Sequence, residues 1–246
     1  MDEPFPPALS VREMAEVDRK MIEDFHISLD QMMELAGRNL ADLVERLLID
    51  RRIAISQANI LVCAGPGHNG GGGLTAARHL HNRGAGITVI LTAQEEHLKL
   101  TTRMRLETLI RMEVTVMRPG NGEPKHFAST DLIVDALLGY NAKGEPRGRV
   151  ADLMQKIIRS GNKHLLALDI PSGFRPEDSR FSNLHLTPEA TLTLALPKHG
   201  MENQHLWQKF GHLFLADIGV PPELYRTMNL QVPPLFADGP VRLLSR

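Results

Sequence analysis

The stretch Gly65-Pro66-Gly67-His68-Asn69-Gly70-Gly71-Gly72-Gly73 follows an apolar run, Ile60-Leu61-Val62-Cys63, and precedes a helix-like segment over residues 74–82. Glycines let the backbone come close to a ligand, and free amides at a helix start favour an anion such as a phosphate, helped by the helix dipole. A glycine run alone could be a mobile turn; the strand before it and the helix after it are the context that a phosphate-holding motif requires. Two acids, Asp135 and Asp169, each close an apolar run, Leu132-Ile133-Val134 and Leu165-Leu166-Ala167-Leu168. In open α/β sheets ligands bind beyond the carboxyl ends of the strands, so the glycine run, Asp135 and Asp169 are expected to converge on one crevice.

Elements must bring these residues together. Helical spacing predicts helices over 11–24, capped by Ser10, and over 29–49, where Met32, Met33, Leu35, Ala36, Leu40, Leu43, Val44 and Leu47 recur. Those methionines read as core. Strands are expected over 87–91, 114–117, 190–196 and 212–216, and helices over 94–112 and 150–158. The alternation indicates an α/β fold of parallel strands joined by helices. One domain is expected over residues 1–246, with N-terminal helices 11–50, a core 58–225 and a Pro-rich tail 226–246 that lies on the surface or against a partner.

The chain has 246 residues, 42% hydrophobic and 23% charged, ordinary for a globular protein with a substantial core. Its 28 basic and 29 acidic residues form no long run of one sign, which argues against nucleic acid or an anionic membrane as partner. Cys63 is the single cysteine and sits in an apolar run, so it reads as a buried structural thiol and no internal disulfide can form. With no apolar run of membrane-spanning length and no apolar N-terminal core, a cytoplasmic location is the default expectation.

Six stretches in order, Met33-Glu34-Leu35-Ala36-Gly37, Gly65 to Gly73, Val134-Asp135-Ala136-Leu137-Leu138-Gly139, Asp169-Ile170-Pro171-Ser172-Gly173, Pro197-Lys198-His199-Gly200 and Ala216-Asp217-Ile218-Gly219, resemble the YjeF N-terminal family. Enzymatic members of that family are NAD(P)H-hydrate epimerases, and the resemblance runs from about residue 11 to about residue 225. It implies a three-layer αβα sandwich with a Rossmann-like, mostly parallel sheet, a homodimer, and a bound potassium ion. It also implies repair of hydrated NADH and NADPH by interconversion of their R and S epimers. The substrate ring carries a hydroxyl on the carbon beside the ring nitrogen. Proton donation to that hydroxyl lets the nitrogen push electrons into an iminium, or open the ring, and water then returns from either face. Asp169 matches the family's acidic residue and takes the acid/base role. Asn69, Asp135 and Ser172 match the oxygen ligands of potassium. His68, Asn69, Gly70, Gly71, Gly72, Gly139, Tyr140, Asn141 and Lys198 are the expected substrate contacts, with the amides of residues 68–73 on phosphate and Lys198 either near a phosphate or paired with Asp169.

Three loops depart from the family pattern. Gly72 stands where the family usually has an acid, Tyr140 replaces a small hydroxyl residue, and Phe174-Arg175-Pro176-Glu177-Asp178 replaces a Gly- and Asp-rich run. The leading reading is an epimerase; the alternative is a nucleotide-binding or scaffold module of the same fold that has lost catalysis. A dehydrogenase ranks third, because the strand over 87–91 ends in Thr92-Ala93 rather than in an acid for the ribose.

Overall fold

The structure, a computed structural model, describes residues 5–119 and 127–245. In chain order its elements are α1 (Val11–Glu23), α2 (Leu29–Asp50), β1 (Asn59–Ala64), α3 (His68–Asn82), β2 (Gly86–Leu91), α4 (Leu100–Arg111), β3 (Thr115–Met117), β4 (Leu132–Ala136), α5 (Gly148–Ser160) and β5 (Leu165–Leu168). A two-stranded ribbon follows, β6 (Phe174–Arg175) and β7 (Arg180–Phe181), then β8 (Ala190–Leu194), α6 (Trp207–Phe210), β9 (His212–Ala216), α7 (Pro222–Thr227) and β10 (Val241–Ser245). Both N-terminal helices start with a capping box: Ser10 with Glu13, and Ser28 with Gln31, each satisfying amides that the helix itself leaves free.

Eight strands form one sheet in the order β10-β9-β8-β5-β4-β1-β2-β3. Every pair is parallel except β9 with β10. Side chains alternate across each strand, and here both faces are covered. On β1, Ile60, Val62 and Ala64 pack with Leu40 and Val44 of α2, Leu74 and Leu80 of α3 and Leu106 of α4. Leu61 and Cys63 point the other way and meet Leu153, Met154 and Ile157 of α5. The result is three layers, helix on sheet on helix, as the resemblance implied. Because β1 has β2 on one side and β4 on the other, the direction of sheet growth reverses between β1 and β4, which opens a crevice beyond their carboxyl ends.

Four details differ from the sequence expectations. The helix after β1 begins at His68, not at residue 74, so the glycine run is mostly the first turns of α3. Close packing explains this better than flexibility: a Cβ at Gly70 would lie 1.9 Å from the Gly65 carbonyl oxygen, and one at Gly37 of α2 would lie 2.4 Å from Thr75 Cβ of α3. The segment 94–112 is divided into a 3-10 turn, Glu95–His97, and α4, because Leu98 and Lys99 are extended and the Lys99 amide donates to the Pro66 carbonyl at 2.9 Å. β8 stops at Leu194, since Ala195 turns the chain out of the sheet with φ 63°. Finally, the end of the tail joins the sheet, with β10 pairing antiparallel along β9 while Val241 and Leu243 pack on the core.

Candidate active site

Two adjacent strands end in the same sharp turn. Asp169 follows β5 with φ 68°, and the Ile170 amide bonds the Leu168 carbonyl at 2.9 Å; Ala195 follows β8 with φ 63°, and the Leu196 amide bonds the Leu194 carbonyl at 2.8 Å. A side chain in this region strains the backbone by roughly 1–3 kcal/mol, a cost that surrounding contacts must offset and that is concentrated at functional sites. For Asp169 the contacts are a hydrogen bond from its amide to the Leu192 carbonyl at 2.7 Å and one from the Tyr140 amide to its Oδ2 at 3.1 Å.

The turns bring Asp169 and Lys198 together as a buried ion pair, Nζ to Oδ1, with the two residues 4% and 1% exposed. Lys198 Nζ also donates to Thr193 Oγ1 at 3.1 Å and to the Leu194 carbonyl at 2.8 Å, so its ammonium is held on three sides. The N-terminal segment clamps the lysine turn: the Leu9 amide donates to the Pro197 carbonyl at 2.8 Å and the His199 amide donates to the Leu9 carbonyl at 2.9 Å. Of the two roles foreseen for Lys198, pairing with Asp169 is the one the structure shows.

A cavity of about 390 Å³ opens over this pair. His68, Asn69, Gly72, Gly139, Tyr140, Asn141, Asp169 and Lys198 all line it, so most of the residues expected from sequence meet there. Gly70 and Gly71 do not line it. Gly70 backs onto Gly65, and a Cβ at Gly71 would lie 2.1 Å from Met33 Cε, so both are packing positions. The Gly71 amide donates to the Gly67 carbonyl at 3.2 Å, which places the amides of Gly71 to Gly73 inside the helix. Only those of residues 68–70 precede the first intrahelical bond and remain for an anion. Partial desolvation, with Lys99 and Arg105 nearby, lowers the His68 pKa and favours its neutral imidazole.

Asp135 lies beneath, fully buried at the end of β4. Its Oδ1 accepts from Ser172 Oγ at 2.6 Å and from the Leu137 amide at 3.2 Å, and its Oδ2 accepts from the Ser172 amide at 2.7 Å. Burial pushes its carboxyl up to about 6 against the opposing effect of these bonds. Asn69 Nδ2 donates to the carbonyls of Leu138 at 2.9 Å and Leu168 at 3.2 Å, which ties α3 to the ends of β4 and β5. The neighbouring Cys63 is buried and its thiol pushed up by burial, in keeping with a structural role.

Sequence reasoning missed part of the wall. Met14, Leu29, Met32, Met33 and Ala36 from α1 and α2 form an apolar side of the cavity, so the methionines read as core are core and lining at once. Asp18 of α1 also lines it, accepting the Tyr140 hydroxyl at 2.7 Å, and exposed Lys99 stands beside the start of α3. A single acid within the charged stretch of α1 carries no local signal that separates it from Glu16 or Glu23.

A Rossmann-type sheet, a cavity at its switch point and a buried carboxylate–ammonium pair beside strained turns define an α/β protein with a cavity suited to a small ligand. Comparison with known proteins gives the family. Residues 29–200 match the model of the YjeF-related protein N-terminus, and the chain belongs to that family. It is 38% identical to a protein of Dehalogenimonas lykanthroporepellens named NAD(P)H-hydrate epimerase, over 96% of this chain and 93% of that one. It is 30% identical to a protein of Rhodopirellula baltica with the same name, over 91% of this chain and 89% of that one. The crystal structure of yeast YNL200c superposes with a TM-score of 0.85 at 23% identity, over 97% of this chain and all of that one, which supports the fold.

Proposed function

We propose that this protein is an NAD(P)H-hydrate epimerase, an isomerase that interconverts the R and S forms of hydrated NADH or NADPH. The observation that carries the reading is the buried Asp169–Lys198 pair at the base of the cavity. Asp169 exchanges the proton with the substrate hydroxyl, and Lys198 holds that carboxylate in place and balances its charge. The Met14, Met32 and Met33 side gives the reduced ring an apolar seat that excludes bulk water, while the amides of His68 and Asn69 and the side chain of Lys99 face the phosphates. Tyr140 stands in the wall with its ring 5.9 Å from Lys198 Nζ, leaving the cavity open.

Potassium belongs to the same proposal. Asp135 has no cationic side chain bonded to it among the described residues, and its donors are neutral, so a buried carboxylate there lacks a counter-charge. Asn69, Asp135 and Ser172, an amide, a carboxylate and a hydroxyl, form an oxygen set suited to a weakly hydrated monovalent cation. When bound, the ion would supply positive charge that neutralises Asp135 and braces the glycine, β4 and β5 loops. The homodimer is also proposed, on the strength of the family resemblance, and the cytoplasmic location as the default expectation from sequence; no helix among the described residues is long and apolar enough to cross a membrane.

The rival reading, a module without catalysis, draws on Gly72. Against it stands the intact and costly burial of the Asp169–Lys198 pair, which a passive scaffold has no need to keep. Chromatography decides between them: starting from one purified epimer of NADH hydrate, the protein should speed the approach to the equilibrium mixture, and from the other epimer reach the same ratio. An approach no faster than in protein-free buffer would exclude the epimerase.

A further inference from the structure

The cavity wall holds a second carboxyl group that the chemistry above leaves idle. Asp18 reaches it from α1, and the one hydrogen bond its side chain accepts among the described residues comes from the Tyr140 hydroxyl. Tyr140 in turn gives its backbone amide to Asp169 Oδ2. One residue therefore holds both carboxyl groups, Asp169 at its main chain and Asp18 at the far end of its ring, with both lining the same cavity. We infer that Asp18 is the second acid–base group of the epimerisation, donating a proton on one face of the ring while Asp169 accepts one on the other. This rests on the epimerase reading and adds a named partner for Asp169.

The two environments differ in the sense such a division requires. Asp169 is ion-paired with Lys198 and is the acceptor. Among the described residues Asp18 has no cation bonded to it; burial favours its neutral form, and the nearby Asp169 charge acts in the same direction, while the Tyr140 hydroxyl and Lys198 act against it. Tyr225 is a further titratable group that feels it. A buried carboxyl group without a bonded cation, set beside an ion-paired one, suits opposite acid and base roles.

Inversion at the hydrated carbon gives each of two groups a step. The C–O bond breaks as Asp18 passes its proton to the departing hydroxyl, which leaves as water, and the ring nitrogen lone pair forms the C=N bond. Water then attacks the opposite face; the new C–O bond forms, the C=N electrons return to nitrogen, and the proton released by that water goes to Asp169. Nothing is oxidised or reduced, and one proton has moved from Asp18 to Asp169, which leaves the protein in the form that runs the reverse direction. Exchange with solvent resets it.

The test uses the full chain and purified NADH-hydrate epimers, with kcat and KM measured from acid to alkaline pH for the parent, Asp18→Asn, Tyr140→Phe and Asp169→Asn. Asp18→Asn keeps the size and the hydrogen bond to Tyr140 yet carries no proton, so kcat should fall about 10²-fold or more with KM within about threefold of the parent. An acid must be protonated to donate, so parent kcat should fall as pH rises through the Asp18 titration, and this limb should vanish in Asp18→Asn. In Tyr140→Phe the carboxylate loses the donor that favours it, so the limb should move to higher pH. The inference is overturned if Asp18→Asn keeps kcat within about twofold of the parent or retains the limb, or if the limb stays in place in Tyr140→Phe. Tyr140→Phe decides alone should Asp18→Asn not fold. A parent without activity would sink the epimerase reading itself, whereas an active parent, an inactive Asp169→Asn and an unaffected Asp18→Asn would sink this inference only.

Discussion

Replacing Lys198 with methionine removes an ammonium from a place where water cannot take over its task. Asp169 is 4% exposed and would keep its Tyr140 amide donor but lose its ion pair, and Thr193 Oγ1 and the Leu194 carbonyl would each lose a donor. Breaking a buried pair by removing one partner costs about 3–5 kcal/mol, because the other charge stays buried without compensation. For a chain of this length about 1 kcal/mol corresponds to roughly 2–4 °C in Tm, so the variant should melt about 6–20 °C below the parent. In an Asp169→Asn background the Lys198 ammonium has already lost its carboxylate, so the same replacement relieves a buried unpaired charge while giving up two hydrogen bonds, and there it should cost no more than about 1–2 kcal/mol. Urea unfolding of the four proteins closes a double-mutant cycle, with an expected coupling of about 2–3 kcal/mol between the two positions. Equal costs in both backgrounds, or a cost below about 1 kcal/mol in the parent background, would show that the pair is not the buried, charge-compensating unit described here.

Three other substitutions or conditions probe the fold and the site. A Cβ at Gly72 would lie 2.8 Å from Leu168 Cδ2, so Gly72→Asp should destabilise by about 1–3 kcal/mol and leave turnover no higher than in the parent; thermal melts and epimer assays check both. Gly70→Ala forces a Cβ against the Gly65 carbonyl oxygen at 1.9 Å, contact with rigid backbone, so α3 must shift and soluble yield or Tm should fall further than for Gly67→Ala, where φ is -88° and nothing lies within 4 Å. Asp135 is pushed up to about 6, so its folded form binds a proton more tightly than the unfolded chain; the stability this brings is present below its ordinary value of about 3.9 and lost as pH rises through 6, about 3 kcal/mol in all. Potassium chloride, compared with choline chloride at equal ionic strength, should therefore raise Tm above pH 6 and have little effect below pH 4, and Asp135→Asn should abolish the difference.

What was legible in the sequence is what is local. Apolar runs that end in an acid mark strand ends, and Asp135 and Asp169 sit just where that pattern puts them, beside the start of α3. The start of α3 was not legible, because four successive glycines disfavour a helix when taken alone; only the approach of Gly65, Met33 and Leu168 shows that the helix needs residues without side chains there. Asp18 and the methionine side of the cavity escaped for a different reason. Their spacing is that of an amphipathic helix, and whether its inner face meets core or cavity is decided by elements more than a hundred residues away, such as Tyr140. The strand β10 was hidden likewise, since the edge of β9 that it covers, and not its own five residues, makes it a strand.

The central claim is that Asp169 moves a proton in the interconversion of the two epimers. The most direct measurement compares the first-order rate of that interconversion, in potassium buffer, for the parent and for Asp169→Asn at equal concentrations, with circular dichroism confirming that both are folded. Removing an acid–base group costs about 10²–10⁴ in rate, so the parent should be active and the variant should fall by at least about 10²-fold toward the protein-free rate. An active parent whose Asp169→Asn variant interconverts the epimers at an equal rate would contradict the account.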